Sequence, residues 1–308
     1  MTRVFLSLGS NLGDRARNLA FARRRLAENG LEIVAASEEE NTSPFGGVEQ
    51  PDFLNQVLEA STDLLPAELL QVAKRIETQA GRRPGGVRWG PRELDIDILL
   101  YAGTVLDTAE LTLPHPGVVD RPYLQRELAE IAPALIADAV ILVDYDPGWP
   151  ARFAEEQARL RLRLGATAVR VDHVGSTSVP GLMAKAIIDI QLSVTDVGDA
   201  GAFVEPLEEL GYEYIPDLRF PTYPFFRYPA SGPRTFHLHV AQAGSVEELE
   251  HLEFRDRLRA DPVVASLYGE LKRELARRFF ADRASYSNSK GDFVHGVLAV
   301  EDPQDARQ

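Results

Sequence analysis

Cysteine is absent from all 308 residues. That excludes disulfides, thiolate zinc sites and a cysteine nucleophile, and it suits a reducing compartment. Long hydrophobic runs are missing too. No stretch approaches the roughly 18 apolar residues of a membrane span, and the opening MTRVFLSLGSN holds too few for a signal peptide. The expectation is a cytoplasmic chain with no membrane attachment. Positive charge is scarce. With 33 Lys and Arg against 47 Asp and Glu, the net charge is −14, a poor match to the phosphates of nucleic acid or anionic lipid. Nucleic acid is therefore not an expected partner, and a local basic site for a small phosphorylated molecule stays open.

What is present suits an ordinary globular protein. Apolar residues make up 44% of the chain, and the length allows roughly two domains of about 150 residues. VFLSLGS reads as a strand ending in a Gly/Asn turn. Asp14 caps an expected helix to about Asn29, with Leu19, Ala22 and Leu26 on one face. LEIVAAS is a second strand, 41–51 a Pro/Gly loop and FLNQVLEAST a third strand. Pro66 opens a helix that stops at Gly81. The loop GRRPGGVRWGP leads to a strand from Leu94, and a last helix spans about 121–131. The order β-α-β-β-α-β is that of a ferredoxin-like sandwich. After about 139 the pattern changes. It offers a helix with Phe153, Leu160 and Leu164, strands at VRVDHV, AIIDIQLSV and FHLHVA, a helix over 199–210, and two long helices across 245–281. The expected division is 1–138, 139–300 and a polar, flexible tail at 301–308.

The stretch WGPRELDIDI poses the main chemical question. Alternation through Leu94-Asp95-Ile96-Asp97-Ile98 puts both carboxylates on one strand face. Two like charges there cost Coulomb energy unless a cation lies between them or solvent bathes the edge. Mg²⁺, which takes one or two carboxylates plus phosphate oxygens and water, fits the first reading. Arg82, Arg83, Arg88 and Arg92 cluster in and beside the glycine loop, and guanidinium forks match phosphate geometry. Glu77 precedes that loop on a helix. Trp89 is a ligand platform or a core filler, and His115 touches phosphate or is a satisfied loop histidine.

The motifs GSNLGD (9–14), TSPFG (42–46), QPDFLN (50–55), RIETQAGR (75–82), RWGPRELDIDILL (88–100), LTLPHP (111–116) and ELAEIAP (127–133) occur in this order. Together they make residues 1 to about 137 resemble the 6-hydroxymethyl-7,8-dihydropterin pyrophosphokinases of folate biosynthesis. The resemblance implies transfer of diphosphate from ATP to the pterin hydroxymethyl group, with AMP leaving. It implies that Asp95 and Asp97 hold two Mg²⁺ ions and that Arg82 and Arg92 stabilise the transferring group. Thr42, Pro44, Phe45, Phe53, Asn55, Trp89 and Tyr123 would form the pterin pocket. Glu77, Arg82, Trp89, Arg92, Ile98, Thr112, His115 and Arg121 would line the ATP site. Pro84, Glu110 and Pro116 depart from the family pattern and bear on how tightly ATP is held. The alternative is a nucleotide-binding regulator with a degenerate first domain, against which the intact Arg82, Arg92, Asp95 and Asp97 stand.

In the second part, DYDPGWPARF (144–153), GSTSVPG (175–181), AIIDIQLSV (186–194), HLHV (237–240), FRDRLR (254–259) and YSNSKGDFV (286–294) resemble the GrpB family, with its nucleotidyltransferase-like α/β fold. The whole chain is then expected to be α+β, a ferredoxin-like domain followed by a nucleotidyltransferase-like one. Nucleotidyl transfer needs a carboxylate pair, and here Asp189-Ile190-Gln191 supplies one. Gly175, Ser176, Lys185, Asp189, His237 and His239 are the candidate contacts, with Lys290 a further phosphate partner. The two histidines, one face apart on a strand, are transition-metal ligands or plain surface. A nucleotidyltransferase and a binding module both remain open.

Overall fold

The structure, a computed structural model, describes residues 1–44, 49–82, 90–216 and 223–299. Phe45, Arg83, Pro84, Arg88, Trp89 and the expected tail 301–308 lie outside the described residues. The chain divides into two compact units. One comprises Met1–Val140 with Leu275–Tyr286, the other Ile141–Glu274 with the chain from Ser287 onward.

The first part runs β1 (Thr2–Ser10), α1 (Arg15–Glu28), β2 (Leu31–Ala36), β3 (Glu40–Thr42), β4 (Phe53–Thr62), α2 (Pro66–Gln79), β5 (Asp95–Tyr101), β6 (Leu106–Asp107), β7 (Thr112–Leu113), α3 (Gly117–Asp120), α4 (Pro122–Ile131) and α5 (Pro133–Asp138). The main sheet has the order β2-β4-β1-β5, with β3 added on β4. All its pairs are antiparallel, which is the ferredoxin-like arrangement. The short strand β3 has no counterpart in the sequence reading, because three residues carry no legible period.

Local chemistry sets the helix ends. Asp14 accepts a hydrogen bond from the Arg17 N–H at 3.0 Å, using a donor that helix geometry leaves unpaired. At α2, Pro66 needs no N–H partner and Glu68 accepts from the Leu65 N–H at 2.8 Å. Leu19, Ala22 and Leu26 of α1 and Leu69, Val72, Ala73 and Ile76 of α2 are buried against Leu6, Leu8, Ile96 and Ile98 of the sheet. Both helices thus cover one sheet face and leave the other for Asp95 and Asp97. Within this unit Val140 donates to the Phe280 carbonyl at 2.7 Å, and Arg277 pairs with Asp120 at 2.7 Å.

The remaining elements are α6 (Trp149–Leu164), β8 (Arg170–Val174), β9 (Ile188–Val194), α7 (Val204–Glu209), β10 (Glu213–Ile215), β11 (Phe225–Tyr228), β12 (Phe236–Gln242), α8 (Val246–Ala260), α9 (Pro262–Arg278), α10 (Arg283–Asn288) and α11 (Gly291–Ala299). Their sheet has the order β10-β11-β12-β9-β8, with β12 and β9 parallel. The helix expected over 199–210 is shorter. Ala200–Ala202 form a 3₁₀ turn, and Phe203 leaves helical geometry at φ −135° to bury its ring before α7 begins. No helix among the described residues is long and apolar enough to cross a membrane.

One buried carboxylate lacks a partner. Glu127 on α4 is 2% exposed, and neither of its oxygens has a hydrogen-bond partner among the described residues. Burial, then Glu40 and Glu130 against the opposing Arg126, push its pKa up to about 8. In the unfolded chain it ionises near 4.5. Stability from this group is therefore greatest below about pH 4.5 and is lost as pH rises towards 8. Glu127→Gln is expected to raise Tm progressively more as pH increases, in melts at pH 5, 6.5 and 8. A Tm difference constant with pH would contradict the assignment.

Candidate functional site

The register of β1 decides what faces the open side of β5. Gly9 lies opposite Asp95, and Ser7 opposite Asp97. On the other flank Gly9 lies opposite Asn55 of β4. A Cβ at Gly9 would stand 2.9 Å from Asn55 Oδ1, so glycine lets Asn55 turn inwards and donate to Thr42 Oγ1 at 2.6 Å. The result is a cavity of about 70 Å³ lined by Ser7, Gly9, Thr42, Ser43, Phe53, Asn55, Arg92, Asp95, Asp97, Arg121 and Tyr123. Of the expected pterin set, Thr42, Phe53, Asn55 and Tyr123 meet here. Pro44 does not line the cavity; its neighbour Ser43 does.

The two carboxylates have unlike surroundings. Asp95 sits between Arg82 at 2.6 Å and Arg92 at 3.0 Å. Burial opposes its charge, but these guanidinium groups outweigh that and hold its pKa below the usual value. Among the described residues, the cations paired with Asp97 are Arg121 at 3.7 Å and His115, when protonated, at 3.9 Å. Burial and the neighbouring Asp95 raise its pKa, against His115 and Arg121. His115 Nδ1 accepts from the Gly117 N–H at 3.1 Å, which turns Nε2 towards Asp97.

A hard cation would relieve the strain on Asp97, and carboxylate oxygens are the ligands it prefers. The residues present therefore fit Mg²⁺. Among the described residues no group of three or more His, Asp or Glu side chains could hold a metal by itself. A cation at Asp95 and Asp97 would draw the rest of its shell from water or phosphate oxygens, which is the habit of Mg²⁺ rather than of a closed protein cage.

Of the expected ATP-site residues, Arg92 and Arg121 line the cavity, and Glu77, Arg82, Ile98, Thr112 and His115 do not. Ile98 packs into the core at 2% exposure, on the strand face opposite the carboxylates. Glu77, also buried, accepts from the Ile96 N–H at 2.9 Å and pairs with Arg82 at 2.7 Å, so it orients Arg82. Its pKa is raised by burial despite Lys74. Thr112 lies on β7 and donates to Asp107 at 3.3 Å.

Two asparagines were unforeseen as positioning residues. Asn11 Oδ1 accepts from the Arg92 N–H at 2.7 Å, the Asn11 N–H donates to the Arg92 carbonyl at 3.1 Å, and its amide donates to Gln50 Oε1 and the Pro51 carbonyl at 3.0 Å. Asn18 donates to Ser10 Oγ and to the Leu12 and Glu93 carbonyls. Together they fasten the segment that carries Arg92. A buried amide two residues past a glycine was the available signal.

The second unit has its own polar cluster. Asp189 Oδ1 lies 3.3 Å from His237 Nδ1 and 3.6 Å from His239 Nε2, because parallel pairing sets β12 beside β9. Gly175, at φ +67°, approaches so closely that a Cβ there would lie 2.5 Å from Asp189 Oδ2. Burial opposes the Asp189 charge, and the two imidazole hydrogen bonds outweigh it and depress its pKa. Lys185 adds to the positive field at His237. Gln191, where a second carboxylate would stand, is fully buried and bonds His251 Nδ1 at 2.6 Å.

With the geometry established, comparison with known proteins gives two matches that divide the chain. Residues 5–133 match the family model for 7,8-dihydro-6-hydroxymethylpterin-pyrophosphokinase, and residues 139–299 match that for GrpB protein. A 2-amino-4-hydroxy-6-hydroxymethyldihydropteridine pyrophosphokinase from Methylorubrum extorquens is 44% identical over 137 residues, 44% of this chain and 86% of that relative. A UPF0157 protein from Halalkalibacterium halodurans is 38% identical over 182 residues, 58% of this chain and 91% of that relative. The crystal structure of conserved protein GrpB from Enterococcus faecalis is 35% identical, covers 51% of this chain and 94% of its own, and superposes with a TM-score of 0.46.

The unlike carboxylates predict opposite effects on stability. In metal-free buffer at pH 7.5, Asp97→Asn is expected to raise Tm, because it removes one of two crowded like charges. Asp95→Asn is expected to lower it, because Arg82 and Arg92 lose their shared partner. Thermal melts in EDTA measure both, and equal shifts of the same sign would refute the asymmetry.

Proposed function

The chain belongs to the 7,8-dihydro-6-hydroxymethylpterin-pyrophosphokinase family over its first part and to the GrpB family over its second, and from this premise we propose that it makes the pterin diphosphate of folate synthesis. The reaction transfers diphosphate from ATP to 6-hydroxymethyl-7,8-dihydropterin and releases AMP. The observation that carries this reading is one cavity where Asp95, Asp97 and Arg92 meet Phe53, Asn55 and Tyr123. A flat heterocycle and a polyphosphate need such unlike walls side by side. The functional division is 1–138 for this activity and 139–300 for the GrpB domain.

Each side chain has a task that follows from its setting. Phe53 and Tyr123 offer ring surface to the pterin, and Asn55, oriented by Thr42, reads its hydrogen-bonding edge. Arg82 and Arg92 stand beside Asp95 and present guanidinium donors to the diphosphoryl group. Asn11 holds the Arg92 backbone in place, which matters because catalysis of this kind is mostly positioning and charge stabilisation. His115 and Arg121, near Asp97, extend the positive lining along the phosphates. Mg²⁺ bound by Asp95 and Asp97, two ions in this reading, supplies charge neutralisation on the ATP phosphates. The partners are small molecules, ATP and the pterin. In the GrpB domain Gln191, engaged by His251, leaves Asp189 without a second acid, which favours a binding module over a metal-dependent nucleotidyltransferase.

Asp95→Ala and Asp97→Ala are expected to abolish AMP formation from ATP and hydroxymethyl-dihydropterin. Arg92→Ala is expected to lower kcat by about 10²–10³-fold with a smaller change in KM, as for loss of a donor to transition-state charge. Steady-state assays of AMP release with Mg²⁺ test this. Wild-type turnover in either aspartate variant, or a pure KM effect in Arg92→Ala, would overturn these roles.

A further inference from the structure

Arg121 and Tyr123 line the first cavity two residues apart, at the start of α4. Arg121 is the residue from which α4 begins, and its backbone is fixed. Its N–H donates to the Gly117 carbonyl at 2.9 Å, and its carbonyl accepts from the Leu124 N–H at 3.1 Å. The side chain passes over Gly117. A Cβ there would stand 3.3 Å from Arg121 Cδ and 2.9 Å from His115 Nδ1, so glycine gives both side chains room to reach towards Asp97.

A fixed backbone does not fix a guanidinium. The Arg121–Asp97 pair spans 3.7 Å, longer than a hydrogen bond, and a long side chain loses rotamer freedom when it is held in one pose. The Arg121 guanidinium also donates a hydrogen bond to the Tyr123 phenol oxygen. Bonds with one charged partner are shorter and stronger than neutral ones. Burial, against Arg121, pushes the Tyr123 pKa up, so the phenol is neutral at physiological pH and offers an acceptor rather than a counter-charge. A tyrosine turns about two side-chain bonds, and this one is set in the first turn of a helix. Its oxygen is a well-fixed anchor.

We propose that the Tyr123 hydroxyl is a positioning group for Arg121, holding its guanidinium over the phosphate side of the cavity when Asp97 is engaged by a cation. The inference rests on the pyrophosphokinase reading and gives Tyr123 a second task. Once a cation occupies Asp97, Arg121 shares that carboxylate with a stronger competitor and is repelled by the new charge. The phenol oxygen, being neutral, keeps its bond to the guanidinium through that change. Arg121 therefore stays where the negative charge of a polyphosphate arrives, and its donors are aimed before the phosphates reach them. The ring of Tyr123 serves the heterocycle, and its hydroxyl serves the polyphosphate. Phenylalanine at this position keeps the first task and loses the second.

The test uses the full chain with Mg²⁺. In AMP-release assays Tyr123→Phe is expected to lower kcat/KM for ATP about tenfold, the scale of one hydrogen bond to a charged group. The same variant is expected to keep its KM for the pterin within about twofold, because the ring is retained. Arg121→Met loses more, and adding Tyr123→Phe to it costs nothing further, because the hydroxyl acts through the guanidinium. Calorimetric titration with Mg²⁺ and a non-hydrolysable ATP analogue repeats this cycle without turnover, and melts check that each variant folds. Unchanged ATP parameters in Tyr123→Phe, a loss confined to the pterin KM, or a tenfold loss that persists in the Arg121→Met background overturns the proposal. A wild-type chain that binds the analogue yet releases no AMP contradicts the pyrophosphokinase reading instead, and the binding cycle still decides the role of Tyr123. A wild-type chain that does neither overturns both.

Discussion

Repulsion between Asp95 and Asp97 is the constraint on which the first unit depends. A strand period of two places both carboxylates on the open face of β5, and each further feature of the site manages the consequence. Arg82 and Arg92 engage Asp95. Glu77, buried behind the strand, orients Arg82, while Asn11 and Asn18 tie down the segment bearing Arg92. Among the described residues Asp97 has more distant cations and remains the less comfortable of the pair. An apo site with one satisfied and one strained carboxylate is poised for a cation that comes with its own anionic partner. A polyphosphate and Mg²⁺ are such a combination.

The same geometry joins recognition to chemistry. Gly9 lies between Asn55 on one flank and Asp95 on the other. Because it has no side chain, the wall of Phe53, Asn55 and Tyr123 and the wall of Arg92, Asp95 and Asp97 share one cavity. A larger residue there would move Asn55 away from Thr42 and narrow the space above Asp95. In the proposed reaction the small residue would set the distance between the two substrates, and positioning is much of what a phosphoryl-transfer enzyme contributes.

The sequence made the strong local signals legible. Two-residue alternation exposed Asp95 and Asp97, and the cap at Asp14 and the proline at the start of α2 marked real helix ends. The ferredoxin-like order followed from element order alone. Features that depend on long-range packing were hidden. Ile98 entered the ATP set through the resemblance alone, and the same two-residue period that exposes Asp95 and Asp97 turns its side chain into the core. Asn11 reads as turn chemistry until its bonds to Arg92 are seen. The inclusion of Leu275–Tyr286 in the first unit likewise depends on pairings such as Arg277 with Asp120, which no local period encodes.

The two units set an aspartate on a strand in unlike electrostatic surroundings. Both set an aspartate on a strand beside a glycine that permits close approach: Gly9 near Asp95, and Gly175 against Asp189. In the first, the residue two positions on is Asp97, and the repulsion between two neighbouring carboxylates is relieved by a divalent cation. In the second, that residue is Gln191, satisfied by His251, while His237 and His239 flank the remaining acid. Changing one carboxylate to an amide would leave a neutral, idle site if nothing else differed. The bases around Asp189 give it a different setting: the two imidazoles hydrogen-bond it and hold its pKa below the usual carboxylate range, in a partly buried place where such interactions are strong.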